Sequence, residues 1–131
     1  GAGTGILGIA SVKLGARKAV CVDIDGKATD IAHENAVINH VEHRVEIIND
    51  DIRNIHGPFD LIIANLTAKI LMELHLHLLS VLETRGCLVL SGIIEQDRTD
   101  IEKRFCTAPL VSRKIMAEKE WLCYVLQKKG N

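Results

Sequence analysis

What the chain lacks narrows its possibilities first. It has almost no net charge: 16 Lys and Arg against 17 Asp and Glu leave −1 at neutral pH. That balance gives no support for direct nucleic-acid or membrane-surface binding. No apolar run approaches the length of a membrane span, and no signal peptide is visible. C-x-x-C pairs are missing too. Cys21, Cys87, Cys106 and Cys123 are widely spaced, and three of them sit in apolar runs that read as strands. Buried free thiols in a reducing cytoplasm are the expectation. Neither a Ser-His-Asp set nor a zinc-ligand pattern is present. His75 and His77 are two apart on a helix and point in different directions, while His33, His40, His43 and His56 read as solvated surface residues. No metal is expected. Repeats, low-complexity tracts and internal linkers are absent, so residues 1–131 read as one soluble domain, and 47% apolar residues give it a real core.

What is present begins at the first residue. Gly1, Gly3 and Gly5 form a G-x-G-x-G turn, and Ile6, Leu7, Ala10 and Leu14 follow at helical spacing. A glycine turn running into a helix lets a ligand approach bare backbone and aims unpaired N–H groups at it. After that helix comes KAVCVDID, an apolar strand ending in Asp23. Glycine turn, helix and strand-end acid form the nucleotide-binding half of a doubly wound sheet, in which the acid takes ribose hydroxyls. Gly3, Gly5 and Gly8 also satisfy the dinucleotide pattern G-x-G-x-x-G, so a nicotinamide cofactor is a live alternative.

The remaining pattern alternates. The first helix spans about Thr4–Leu14 and stops at Gly15, and Lys18–Val22 is a buried strand. Asp25 is placed to cap a helix that fades near Asn39. Val45–Ile48 is a short strand leading into a polar turn with Asp50 and Asp51. Phe59–Ala64 is a strong buried strand ending at Asn65, and a helix from about Thr67 to Leu82 carries Leu71, Leu74, Leu78 and Leu82 on one stripe. Gly86 is expected to end it. Cys87–Leu90 is a further strand running into Ser91-Gly92, followed by a weaker helix near Glu95–Phe105. Leu110–Met116 and Trp121–Leu126, joined by a short charged link, predict an antiparallel hairpin. The order implies an α/β fold: a Rossmann-like, mostly parallel sheet closed by a hairpin. Because no strand stands before Gly1, the chain is expected to be a piece cut inside its first motif.

Ligands in such sheets collect at the carboxyl ends of strands, where the glycine turn, Asp23, Asp51 and Asn65 all fall. One shared crevice is therefore expected. Asn65, directly after an apolar strand, must either cap the next helix or face a ligand.

These residues carry a resemblance. GAGTGILGIASVKLGARKAVCVDID, ENAVIN, FDLIIANLTAKIL, LVLSGI and the late EW resemble the ribosomal protein L11 methyltransferase family over nearly the whole chain. The family is class I and uses S-adenosylmethionine to methylate amino groups on its ribosomal target, either lysine side chains or the N-terminal amine. The resemblance implies that Gly1, Ala2, Gly3 and Gly5 lie against the methionine part of the cofactor. It implies that Asp23 accepts both ribose hydroxyls, that Ile24 lies against the adenine, and that Asp51 and the Ile52 backbone read the adenine edge. Asn65 would stand at the reactive end, touching the cofactor beside its methyl group and orienting the incoming amine. Departures are Gly26 where proline is usual, Leu66-Thr67 after Asn65 in place of Ile-Leu, and the absence of the family's first strand and substrate-recognition domain. Those absences put the activity of the chain taken alone in question. Rival readings are a lysine methyltransferase acting on the electron-transfer flavoprotein β subunit, a nicotinamide-dependent oxidoreductase, and a non-catalytic remnant.

Overall fold

The computed structural model describes residues 1–130, which fall into two compact units, Gly1–Ile55 and the residues from His56 on. In the first unit, α1 (Ile6–Lys13), β1 (Ala19–Asp23), α2 (Gly26–Ile38) and β2 (Val45–Asn49) alternate, and a single 3-10 turn follows at Ile52–Asn54. β1 and β2 pair in parallel, from Ala19 opposite Val45 to Asp23 opposite Asn49. Apolar side chains of both helices and both strands close its core: Ile9 and Val12, Ala36 and Val41, Cys21 and Val45. α1 approaches β1 so closely that a Cβ at Gly8 would collide with the Cys21 thiol. The helix ends as expected, with Gly15 at φ +118 just beyond its C-cap Leu14. Arg44 ties the returning loop down by donating to the carbonyls of Val12 and Ala16.

The second unit contains β3 (Phe59–Asn65), α3 (Ala68–Val81), β4 (Leu82–Ile94), α4 (Arg98–Phe105), β5 (Leu110–Glu118) and β6 (Trp121–Lys128). Its sheet runs β3-β4-β6-β5. β3 and β4 are parallel, whereas β6 is antiparallel to both β4 and β5. The closing hairpin and the α/β class are thus as the sequence implies. The leucine stripe is the reason α3 forms where it does: Leu71, Leu74, Leu78 and the adjoining Leu82 are all buried.

Two expectations need correction. Gly86 does not end α3. The helix stops at Val81, and Gly86 lies within β4. There the pairing with β3 jumps from Phe59 opposite Leu82 to Leu61 opposite Cys87, so the intervening residues bulge out, with Arg85 at φ +67. The Phe59–Ala64 strand is also less buried than its composition predicts, Leu61 being 46% exposed. Among the described residues β3 pairs with β4 alone.

The thiols are free, with Cys21 buried and Cys87, Cys106 and Cys123 half-buried. His75 is half-buried and meets Phe105 edge-on at 4.9 Å, and desolvation, with the Arg104 charge, lowers its pKa.

Candidate functional site

The glycine turn is built from left-handed backbone. Gly3 has φ +57 and Gly5 φ +80, conformations that a Cβ disfavours. Gly5 also has a steric reason, since a Cβ there would come 3.1 Å from the Ala32 Cβ, whereas Gly3 faces open space. The N–H of Ala2 donates to the Val22 carbonyl at 2.9 Å, and the Gly5 N–H donates to Ala2 at 3.0 Å. These bonds lay the turn across the carboxyl end of β1.

Asp23 completes the turn. Its Oδ2 accepts the Gly3 N–H at 2.9 Å and its Oδ1 the Asp25 N–H at 3.0 Å. The residue is only 9% exposed. Burial pushes its pKa up, but the hydrogen bonds from the Asp25, Gly3 and Ile24 N–H groups hold the carboxyl below its ordinary value. Asp23 is therefore a fixed carboxylate whose remaining lone pairs are free to accept more hydrogen bonds. Ile24, next in sequence, is 75% exposed. Asp25 is a cap, as expected, accepting the Lys27 N–H at 2.9 Å at the start of α2.

Asp51 reaches the same end of the first unit. The Asp50 N–H and the Asn49 side-chain amide both donate to the Asp23 carbonyl, at 3.1 and 3.0 Å, tying the loop after β2 to the end of β1. The Asp51 carboxylate caps the 3-10 turn, accepting the Arg53 N–H at 2.9 Å and the Arg53 guanidinium at 3.0 and 2.9 Å. Ile52 follows, half-buried. The first unit thus gathers Gly1, Ala2, Gly3, Gly5, Asp23, Ile24, Asp51 and Ile52 around the ends of two parallel strands.

Asn65 belongs to the second unit, exposed at the carboxyl end of β3 and opposite Ser91. It does not cap α3, because Thr67 is the N-cap and accepts the Ile70 N–H. Its Oδ1 lies where a Cβ of Gly92 would stand, and Gly92 has φ +80. The sequence alone presents Gly92 only as the end of a strand, and its partnership with Asn65 is a tertiary fact. Among the described residues no cluster of His, Cys, Asp or Glu could hold a metal, and no helix is long and apolar enough to cross a membrane.

Residues 1–129 match the family described as ribosomal protein L11 methyltransferase (PrmA). The chain belongs to that family. It is 36% identical to the ribosomal protein L11 methyltransferase of Pelobacter propionicus over 128 residues, covering 98% of this chain and 41% of that protein. Identity to the protein of the same name from Caldicellulosiruptor saccharolyticus is 39% over 129 residues, covering 98% and 42%. Among solved structures, the ribosomal protein L11 methylase of Lactobacillus delbrueckii subsp. bulgaricus superposes with a TM-score of 0.92 at 32% identity, covering 98% of this chain and 67% of that one. The chain spans about two-fifths of the length of the curated relatives it matches. Membership accounts for the G-x-G-x-x-G match without a dinucleotide, and the relatives named above support neither the oxidoreductase nor the flavoprotein-directed reading.

Proposed function

We propose that residues 1–131 form a single S-adenosylmethionine-binding catalytic domain of a cytoplasmic protein N-methyltransferase. Its substrate would be the amino groups, lysine or N-terminal, of ribosomal protein L11. The observation that carries this reading is the Asp23 carboxylate, pinned by the Gly3 and Asp25 N–H groups beside a turn of bare backbone.

The residues present fit the cofactor. Two hydroxyls on adjacent ribose carbons need a paired acceptor, and a carboxylate held ionised with lone pairs to spare is one. Gly1, Ala2, Gly3 and Gly5 offer backbone without side chains to the methionine portion, and above Gly3 the space is open. Ile24 exposes an apolar face suited to the flat side of a base. Asp51 and the Ile52 backbone would read the adenine edge; the Asp51 carboxylate already holds Arg53, so it would share its outer lone pairs.

When bound, S-adenosylmethionine supplies a methyl group already activated by a positively charged sulfur. The chain's contribution is alignment, worth several kcal/mol when reacting groups are held in line. The Asn65 side-chain carbonyl accepts hydrogen bonds, and its role is to orient the hydrogens of the substrate amine. That amine must be neutral to react, and desolvation lowers a lysine pKa from about 10.4 in that direction.

Titration of the protein with S-adenosylhomocysteine and, separately, with NAD tests the reading. Binding of the first and not the second is the expected result. Binding of NAD alone, or of neither, overturns it.

A further inference from the structure

The glycine turn is held from a second direction, by a residue outside the set assigned to the cofactor. α2 passes the turn at Ala32, whose methyl is the group that a Cβ at Gly5 would meet. Asn35 lies three residues further on, about one helical turn along the same face. Its side-chain Nδ2 donates to the Thr4 carbonyl at 2.9 Å, a contact that spans 31 positions of sequence.

That bond sets the direction of a whole peptide group. The Thr4–Gly5 peptide is trans, so its C=O and its N–H point to opposite sides. Holding the Thr4 oxygen against α2 therefore also aims the Gly5 N–H, which donates to the Ala2 carbonyl at 3.0 Å. Gly3 is fixed separately, through the bond from its own N–H to the Asp23 carboxylate. The turn is thus tied to two elements, to β1 through Asp23 and to α2 through Asn35.

The need for the second tie lies in the glycines. Without a Cβ, Gly3 and Gly5 have wide conformational freedom, and an untied turn would sample many shapes of which a ligand could use few. A turn ordered beforehand spares the ligand that cost. Thr4 is exposed, so water can replace the bond in the stability of the fold, but water does not choose the orientation of a peptide.

We infer that Asn35 is a positioning residue for the methionine portion of S-adenosylmethionine, acting through the Thr4–Gly5 peptide. The inference rests on the reading that the glycine turn lies against that portion while the Asp23 side of the site holds the adenosine.

Two ligands divide the site. S-adenosylhomocysteine carries the amino-acid tail, and methylthioadenosine is the same nucleoside thioether without it. Calorimetry measures both on the full chain and on Asn35→Ala, a change to the best helix former that leaves α2 intact. The expected result is about three- to tenfold weaker binding of S-adenosylhomocysteine by the variant. Methylthioadenosine binds both proteins equally, which also shows that the variant is folded. In the absence of ligand, amide hydrogen exchange quickens at Gly5 in the variant and is unchanged across β1. Unchanged S-adenosylhomocysteine affinity in the variant overturns the inference and leaves the cofactor reading standing. So does an equal loss for both ligands, an unchanged Gly5 exchange rate, or an unaltered protein that binds S-adenosylhomocysteine but not methylthioadenosine. Binding of neither ligand to the unaltered protein removes the cofactor reading itself.

Discussion

One carboxylate serves both the backbone and the proposed ligand. Asp23 accepts the Gly3 and Asp25 N–H groups, which fix the glycine turn, and we propose that its remaining lone pairs take ribose hydroxyls. Replacing it with alanine should weaken S-adenosylhomocysteine binding by about 1.5–3 kcal/mol per lost charge-assisted bond, read by calorimetry. Unchanged affinity would remove Asp23 from the site. Its depressed pKa has a signed consequence. The carboxylate stabilises the fold at all pH values above its unfolded pKa of about 3.9, and that contribution is lost as pH falls through the lower folded value. The Asp23 carboxyl carbon, followed by NMR, should therefore titrate at more acid pH than an exposed aspartate. Asn65 belongs to the other category. If it orients the amine as proposed, its change to alanine should cut turnover more than cofactor affinity; equal losses in both would make it a mere binding residue.

Elements were legible in the sequence where one local rule decided them. Asp25 before an apolar-periodic run announced its cap, and the cap is there. The leucines of α3 announced a buried face. Glu83–Gly86 did not announce its place inside β4, because a glycine after a leucine-striped helix reads as the helix's end, whereas these residues bulge out between the Leu82 and Cys87 pairings that a distant partner, β3, sets. The glycine turn could be read in advance, because the left-handed backbone at Gly3 and Gly5 favours glycine. Gly92 could not, because its reason for being glycine is Asn65, 27 positions earlier in the sequence. Two stability predictions belong here. Asp25→Ala should cost about 1 kcal/mol in urea unfolding, by loss of the α2 cap. Tyr124 is fully buried and donates to Glu102 at 3.0 Å, joining β6 to α4. Burial and the neighbouring carboxylate push its phenol pKa well up, so it is a permanent donor at neutral pH. Tyr124→Phe should cost about 1–2 kcal/mol by the same measurement, and a cost near zero would show that the bond is idle.

At the scale of the molecule, two short sheets share the chain, and among the described residues β1 pairs only with β2 and β3 only with β4. Each ladder's register is set within its own unit, Ala19–Asp23 against Val45–Asn49 in the first and Phe59–Asn65 against β4 in the second. Because side chains alternate faces along a strand, a slip of one residue in either ladder would carry Asp23 or Asn65 to the opposite face of its sheet. The reach of both side chains is thus fixed by pairings made many residues away from them.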